Sequence, residues 1–193
     1  MGTIKTTNIE TITGSGTLTL GQSGETISVP SGATLDLSNA TQTGVGGTNT
    51  PYFYGEKASN TTITRGTFTK VTGLTQNELD SNSAFDGTTF TVPSSGKYYL
   101  EGVVTGDYQS IGQDGENTVA FIYKNGSGIK SAKWQNSSAT GQTGREITVT
   151  ASGIFNLSAS DTIELYAYLL DSSGGNADVQ ADRTSLMGFK IIE

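Results

Sequence analysis

Three stretches of the chain gather the side chains most able to do chemistry. Asp107, Tyr108, Gln109, Asp114, Glu116 and Asn117 lie between two strand-like segments. Asn136 and Gln142 follow the lone tryptophan, Trp134, and Asn176, Asp178 and Asp182 lie near the C-terminus. Carboxylates and amides pair their acceptors and donors, so they match the neighbouring hydroxyls of a glycan, and Tyr108 or Trp134 offers a flat face for a sugar ring. Trp134 fits equally well as a packed strand residue. Asp114 and Glu116 with Asp178 or Asp182 supply the hard oxygens calcium needs, but Asp114-Gly-Glu116 does not have EF-hand spacing. The expectation is therefore no cofactor, with calcium the alternative. Two carboxylates are also the minimum for glycoside hydrolysis. Acids on separate surface loops give no pocket that would raise one of their pKa values, so the chain is not expected to be an enzyme.

Two absences narrow the chemistry further. The 193 residues include no histidine and no cysteine. That removes Ser-His-Asp catalysis, imidazole-ligated zinc, thiolate nucleophiles and any disulfide framework. The net charge is −7, without a basic run, so the field has the wrong sign for a phosphate backbone and no nucleic-acid partner is expected. No stretch approaches the ~20 apolar residues of a membrane-spanning helix, and Met1-Gly-Thr-Ile-Lys-Thr6 lacks the apolar core of a secretory signal.

The elements that must position these residues read as strands. From Pro51 onward, turn signals separate Tyr52 to Lys57, Gly66 to Val71, Thr88 to Val92, Lys97 to Thr105, Thr118 to Lys124, Ile129 to Gln135, Arg145 to Leu157, Thr162 to Leu170 and Ser185 to Ile192. Asn125-Gly126 is the strongest short hairpin signal. Leu74 to Ser81 has the composition for one helical turn. Phe90-Thr-Val-Pro-Ser-Ser-Gly-Lys-Tyr-Tyr-Leu100 implies a strand, a proline turn and a strand opening on an aromatic pair that needs a deep two-sheet core. Thr162 to Leu170 is apolar on both faces: Ile163, Leu165, Ala167 and Leu169 on one, Tyr166, Tyr168 and Leu170 on the other. Val119, Phe121 and Tyr123 likewise oppose Ala120 and Ile122. Two apolar faces predict that one packs on the sister sheet and the other on a neighbouring subunit.

Residues 1–50 differ in pattern from 51–193. Thr17-Leu-Thr-Leu20, Thr26-Ile-Ser-Val29 and Thr34-Leu-Asp-Leu37 form a quasi-repeat, with Leu18, Ile27 and Leu35 nine and then eight residues apart. Each unit reads as a short strand with one apolar face. Such strands are too short for a core of their own, so the pattern predicts a β-stalk covered by other copies, with Asn39 to Thr50 as a neck.

With the strands placed, residues 51–193 resemble the globular head of complement component q and the wider tumour-necrosis-factor-like superfamily. The ordered matches begin with Tyr52-Phe-Tyr-Gly-Glu-Lys, Phe68-Thr-Lys-Val71, Ser83-Ala-Phe-Asp86 and Thr89 to Leu100. They continue through Val119 to Gly126, Leu157-Ser-Ala-Ser-Asp161 and Ser185 to Ile192. Ser160-Asp161 stands where the family often has glycine-aspartate. The run Thr17 to Ala40 is similar to segments preceding the heads of bacteriophage tail fibres. The resemblance implies an all-β protein: a ten-stranded jelly-roll β-sandwich head on a short stalk, forming a homotrimer on a virion surface and made in a bacterial cytoplasm. It also puts the C-terminus at the base. Strand parity then places connections 106–117, 136–144 and 171–184 together at the apex, where long polar loops would recognise host surface polysaccharide. Residues 1–50 would attach to other virion proteins. The alternative is a structural virion component, a capsid decoration or head-fibre protein without a receptor role.

Overall fold

The computed structural model describes residues 23–36, 50–108, 116–135, 146–171 and 174–191. The chain divides into two compact units, Met1–Val45 and Gly46–Glu193.

In the first unit, residues 26–29 and 34–36 form no strand, against the expectation of short strands there. A ladder needs a partner strand for its N–H and C=O groups, and the expectation drew that partner from other copies. Ile27, Val29 and Leu35 are exposed by 61%, 45% and 66%. The turns are where the glycines place them, with Gly24 and Gly32 at φ of +89° and +85°. Thr17-Leu-Thr-Leu20 lies outside the described residues.

The second unit is all-β, with twelve strands and no helix among its described residues. They are β1 (Tyr52–Glu56), β2 (Thr61–Ile63), β3 (Thr69–Lys70), β4 (Gln76–Asp80), β5 (Thr89–Thr91), β6 (Gly96–Tyr108), β7 (Asn117–Lys124), β8 (Ser127–Gln135), β9 (Glu146–Leu157), β10 (Thr162–Leu170), β11 (Ala177–Val179) and β12 (Ser185–Lys190). In the first sheet β6 is central. β9 runs antiparallel along it from Leu157 against Gly96 to Glu146 against Asp107. The other side of β6 is shared: β12, β1 and β4 follow its first half, and β11 and β2 follow its last three residues. The second sheet runs β8-β7-β10, with β5 and β3 end to end along the far edge of β10.

The two sheets share one core, as in a β-sandwich. Tyr98, Leu100 and Val104 of β6, Ile122 of β7, and Ile163, Leu165 and Leu169 of β10 are fully buried. The sheets meet closely over glycine: a Cβ on Gly102 would lie 2.6 Å from Leu165 Cδ1 and 3.3 Å from Ile122 Cγ1. At one end Phe53 stacks on Phe90 across the sandwich, with ring centroids 4.0 Å apart. Of the aromatic pair opening β6, only Tyr98 enters this core, donating its hydroxyl to the Ser94 carbonyl at 2.6 Å. Tyr99 faces outward, its ring beside Phe189 and its hydroxyl on Glu101.

Residues 76–80 form a strand on β1 where a helical turn was expected. Tyr54 pairs with Leu79, and Asn77, at φ +51°, makes the irregularity between that pair and Glu56 with Gln76. Pairing with a neighbouring strand overrides weak local preference here.

The β7–β8 hairpin turns on Asn125 and Gly126, both at positive φ (50° and 75°) as a two-residue turn requires. Asp161 ties this turn to the β9–β10 turn. It accepts the Asn125 amide and the Ser158 N–H, both at 2.7 Å, and pairs with Lys124 at 2.8 Å. The Lys124 contact first, then the Ser158 and Asn125 hydrogen bonds, draw its carboxyl down to about 2. Because the folded pKa lies below the ordinary carboxylate value, this stabilisation is present at neutral pH and is lost as pH falls from about 4 to 2. Asp161→Asn should cost about 1–2 kcal/mol at pH 7, allowing for screening near the surface. Urea unfolding should show the gap from wild type closing below pH 3; a gap that does not change with pH would refute the coupling.

Candidate functional site

Strand register brings the three long connections to one end of the sandwich. Asp107 pairs with Glu146, Tyr108 with Ala177, and Asn117 with both Gln135 and Leu170. The chain therefore leaves β6 after Tyr108, β8 after Gln135 and β10 after Leu170 at the same end. The short turns at 125–126 and 158–161 lie together at the other, bonded through Asn125 and Asp161. Parity along the sequence implies this grouping, and the pairings show it.

Tyr108 and Glu116, at the two borders of the first loop, point inward. Tyr108 is fully buried, and its hydroxyl donates to the Asn117 carbonyl at 2.7 Å and lies 2.5 Å from the Thr118 hydroxyl. Burial holds the Tyr108 phenol far above its ordinary value. The bond with Thr118 opposes this, and the nearby Glu116 and Asp171 carboxylates reinforce it. Tyr108 is thus a clamp between the two sheets rather than a platform for a sugar. Glu116 is fully buried on the inward side, whereas Asn117, 7% exposed, shares the outward parity of Val119 and Phe121 and lines a hollow with Phe68, Phe121 and Tyr168. Trp134 packs half-buried against the core as a strand residue. Period two explains Tyr108, Glu116 and Trp134: each is in phase with the inward positions of its own strand or of the strand paired to it.

The outward set is smaller. Asp107 accepts a hydrogen bond from the Gln180 amide at 2.9 Å. Asn176 is exposed and its Oδ1 accepts the Arg65 N–H at 3.1 Å. Asp178 lies half-buried on β11, and Asp182, exposed at φ +58°, sits in the β11–β12 turn with its N–H on the Lys57 carbonyl. That turn lies alongside β6, so Asp182 is displaced from the loop end. Gln109, Asp114, Asn136 and Gln142 fall outside the described residues. Among the described residues no three acidic side chains converge to hold a cation.

Sequence reading missed the contacts that frame this end. Arg65 binds the chain on both sides of residues 172–173: its N–H goes to Asn176 and its Nε donates to the Asp171 carbonyl. Arg183 pairs with Glu146. These partners are 111, 106 and 37 residues apart, so only the assembled register reveals them.

Two outer faces carry apolar surface. On the second sheet, Phe68, Phe121, Tyr123, Tyr166 and Tyr168 form a chain of ring contacts with centroids 4.0–5.8 Å apart. These rings touch one another along the face, with Tyr166 and Tyr168 half-buried and Phe68 43% exposed within a single chain. On the first sheet, cross-strand pairing aligns Ile154, Tyr99, Phe189 and Tyr52 in one row. The ends of that row are open: Ile154 is 63% and Tyr52 43% exposed. No family model matches the chain, and no curated protein does either.

Proposed function

We propose that this chain is a trimeric virion head that binds host surface polysaccharide at the loop-bearing end, with residues 1–50 holding it to the particle. The observation that carries the reading is the gathering of the connections 109–116, 136–145 and 171–176 at one end of a rigid sandwich with short turns at the other. A binding surface on loops needs such a frame. The strand orders β1-β12-β6-β9 and β5-β10-β7-β8 support a jelly roll of the complement-q type. The open row Ile154-Tyr99-Phe189-Tyr52 is the surface we assign to trimer contacts, because an apolar row left open in one copy is covered best by another. Three weak sites then combine by avidity.

Purified protein should compete with particles for adsorption to host cells, and a variant with 136–144 replaced by a short glycine-serine turn should compete at least tenfold less well. Undiminished adsorption in excess protein would overturn receptor binding. The burial of Tyr108 and Glu116 favours a second reading, a structural capsid or head-fibre component. Imaging that places the protein on the capsid lattice rather than the tail would select it.

A further inference from the structure

Lys57 occupies a position where the strand pattern calls for a core residue. The inward alternation of β1 runs Phe53, Gly55 and then Lys57, which is only 3% exposed. Its Nζ donates to the Thr72 carbonyl at 2.9 Å. An ammonium has three donors, so two remain for whatever fills the space beside it. That space is a cleft of about 220 Å³ between β2 and β3, the edge strands of the two sheets, lined by Lys57, Lys70, five threonines and three aliphatic residues. Among the described residues no acidic side chain lines it. Lys70 is already engaged by Glu164 at 2.6 Å and the Thr89 hydroxyl at 2.8 Å. The Lys57 ammonium is therefore the cleft's uncompensated charge, a positive hollow in a chain of net charge −7. Burial pushes the Lys57 pKa down, as expected for a cation without an anionic partner.

We propose that this cleft binds a small carboxylate, with the anion on the Lys57 ammonium and the threonine hydroxyls meeting its neighbouring oxygens. The volume holds about seven waters, which suits a ligand between acetate and a single uronic acid. The site lies on the side of the sandwich, and the inference does not depend on the function proposed above.

The test is titration of the full-length protein with sodium glucuronate, sodium acetate, inorganic phosphate and glucose, following the Lys57 Cε and Nζ resonances assigned through the backbone. Glucuronate should shift Lys57 saturably and raise its pKa, with acetate weaker and glucose inert. Lys57→Met should weaken glucuronate binding about tenfold or more, the loss expected for a charge-assisted hydrogen bond. Wild-type titration alone suffices if that variant does not fold. A Lys57 resonance unmoved by glucuronate, or moved equally by glucose, would overturn the proposal, as would unchanged affinity in Lys57→Met. A response to phosphate alone would overturn the carboxylate assignment.

Discussion

Ile154→Glu combined with Tyr52→Glu should dissociate the proposed trimer to monomer at micromolar concentration, with the fold intact. Both side chains project from the outer face of the first sheet, so neither touches the core, and far-UV circular dichroism should not change. Burying a largely exposed isoleucine or tyrosine is worth about 2 kcal/mol per side chain, and three copies contribute. The glutamates remove that gain and add unpaired charges that would have to be desolvated together, at a cost of several kcal/mol. Sedimentation equilibrium reads the outcome directly. A monomeric wild type would overturn the trimer, and a trimeric double variant would overturn this surface. Tyr166→Glu with Tyr168→Glu tests the face that sequence alone points to. Tyr166 stacks on Tyr123 and Tyr168 packs against Phe68, so that pair should lower thermal stability by a few degrees and leave the proposed trimer in place.

The contrast between the two faces shows how much the sequence could reveal. Alternation within one segment is legible: Thr162 to Leu170 forms β10 with its bounds as expected, and Ile163, Leu165, Ala167 and Leu169 do face the core. Local turn chemistry is equally legible at Asn125-Gly126, where both residues take positive φ. A row such as Ile154-Tyr99-Phe189-Tyr52 is not legible, because each member is a single apolar residue in its own strand and only register aligns them. The same limit hid β2, β4 and β11, segments of three to five residues too short to show an apolar period, which become strands through their partners. It also hid the inward turn of Tyr108 and Glu116. Both sit in a polar, loop-like stretch, but the strands carry their alternation right to its borders. Lys57 was invisible for the opposite reason: lysine at a strand end normally reads as solvent-facing.

Gly55→Ala should be among the most damaging single changes in the head, although it adds only one methyl group. Gly55 lies on the inward face of β1 between Phe53 and Lys57, where Leu74 and Phe85 close over the strand. An added Cβ would meet the Leu74 carbonyl oxygen and the edge of the Phe85 ring, both at distances real Cβ atoms do not show. The ring cannot swing away freely, because its centroid lies 5.2 Å from that of Phe53, which is itself stacked on Phe90. The carbonyl cannot move easily either, since the Leu74 N–H is bonded to Gly87 at 2.8 Å and residues 73–74 are held against β1 through the Ala58 N–H. Relief must therefore come from β1 shifting out of register with β12 and β4, at a cost of about 3 kcal/mol or more. For a domain of this size that is a fall in Tm of roughly 6–12 °C. Gly126→Ala provides the comparison: among the described residues nothing lies within 4 Å of its Cβ position, so the positive φ of 75° is what opposes it, at about 1 kcal/mol. Thermal unfolding of the two variants side by side decides the matter. If Gly55→Ala proves no worse than Gly126→Ala, the Phe53-Phe85-Phe90 cluster is not the rigid wall that this packing requires.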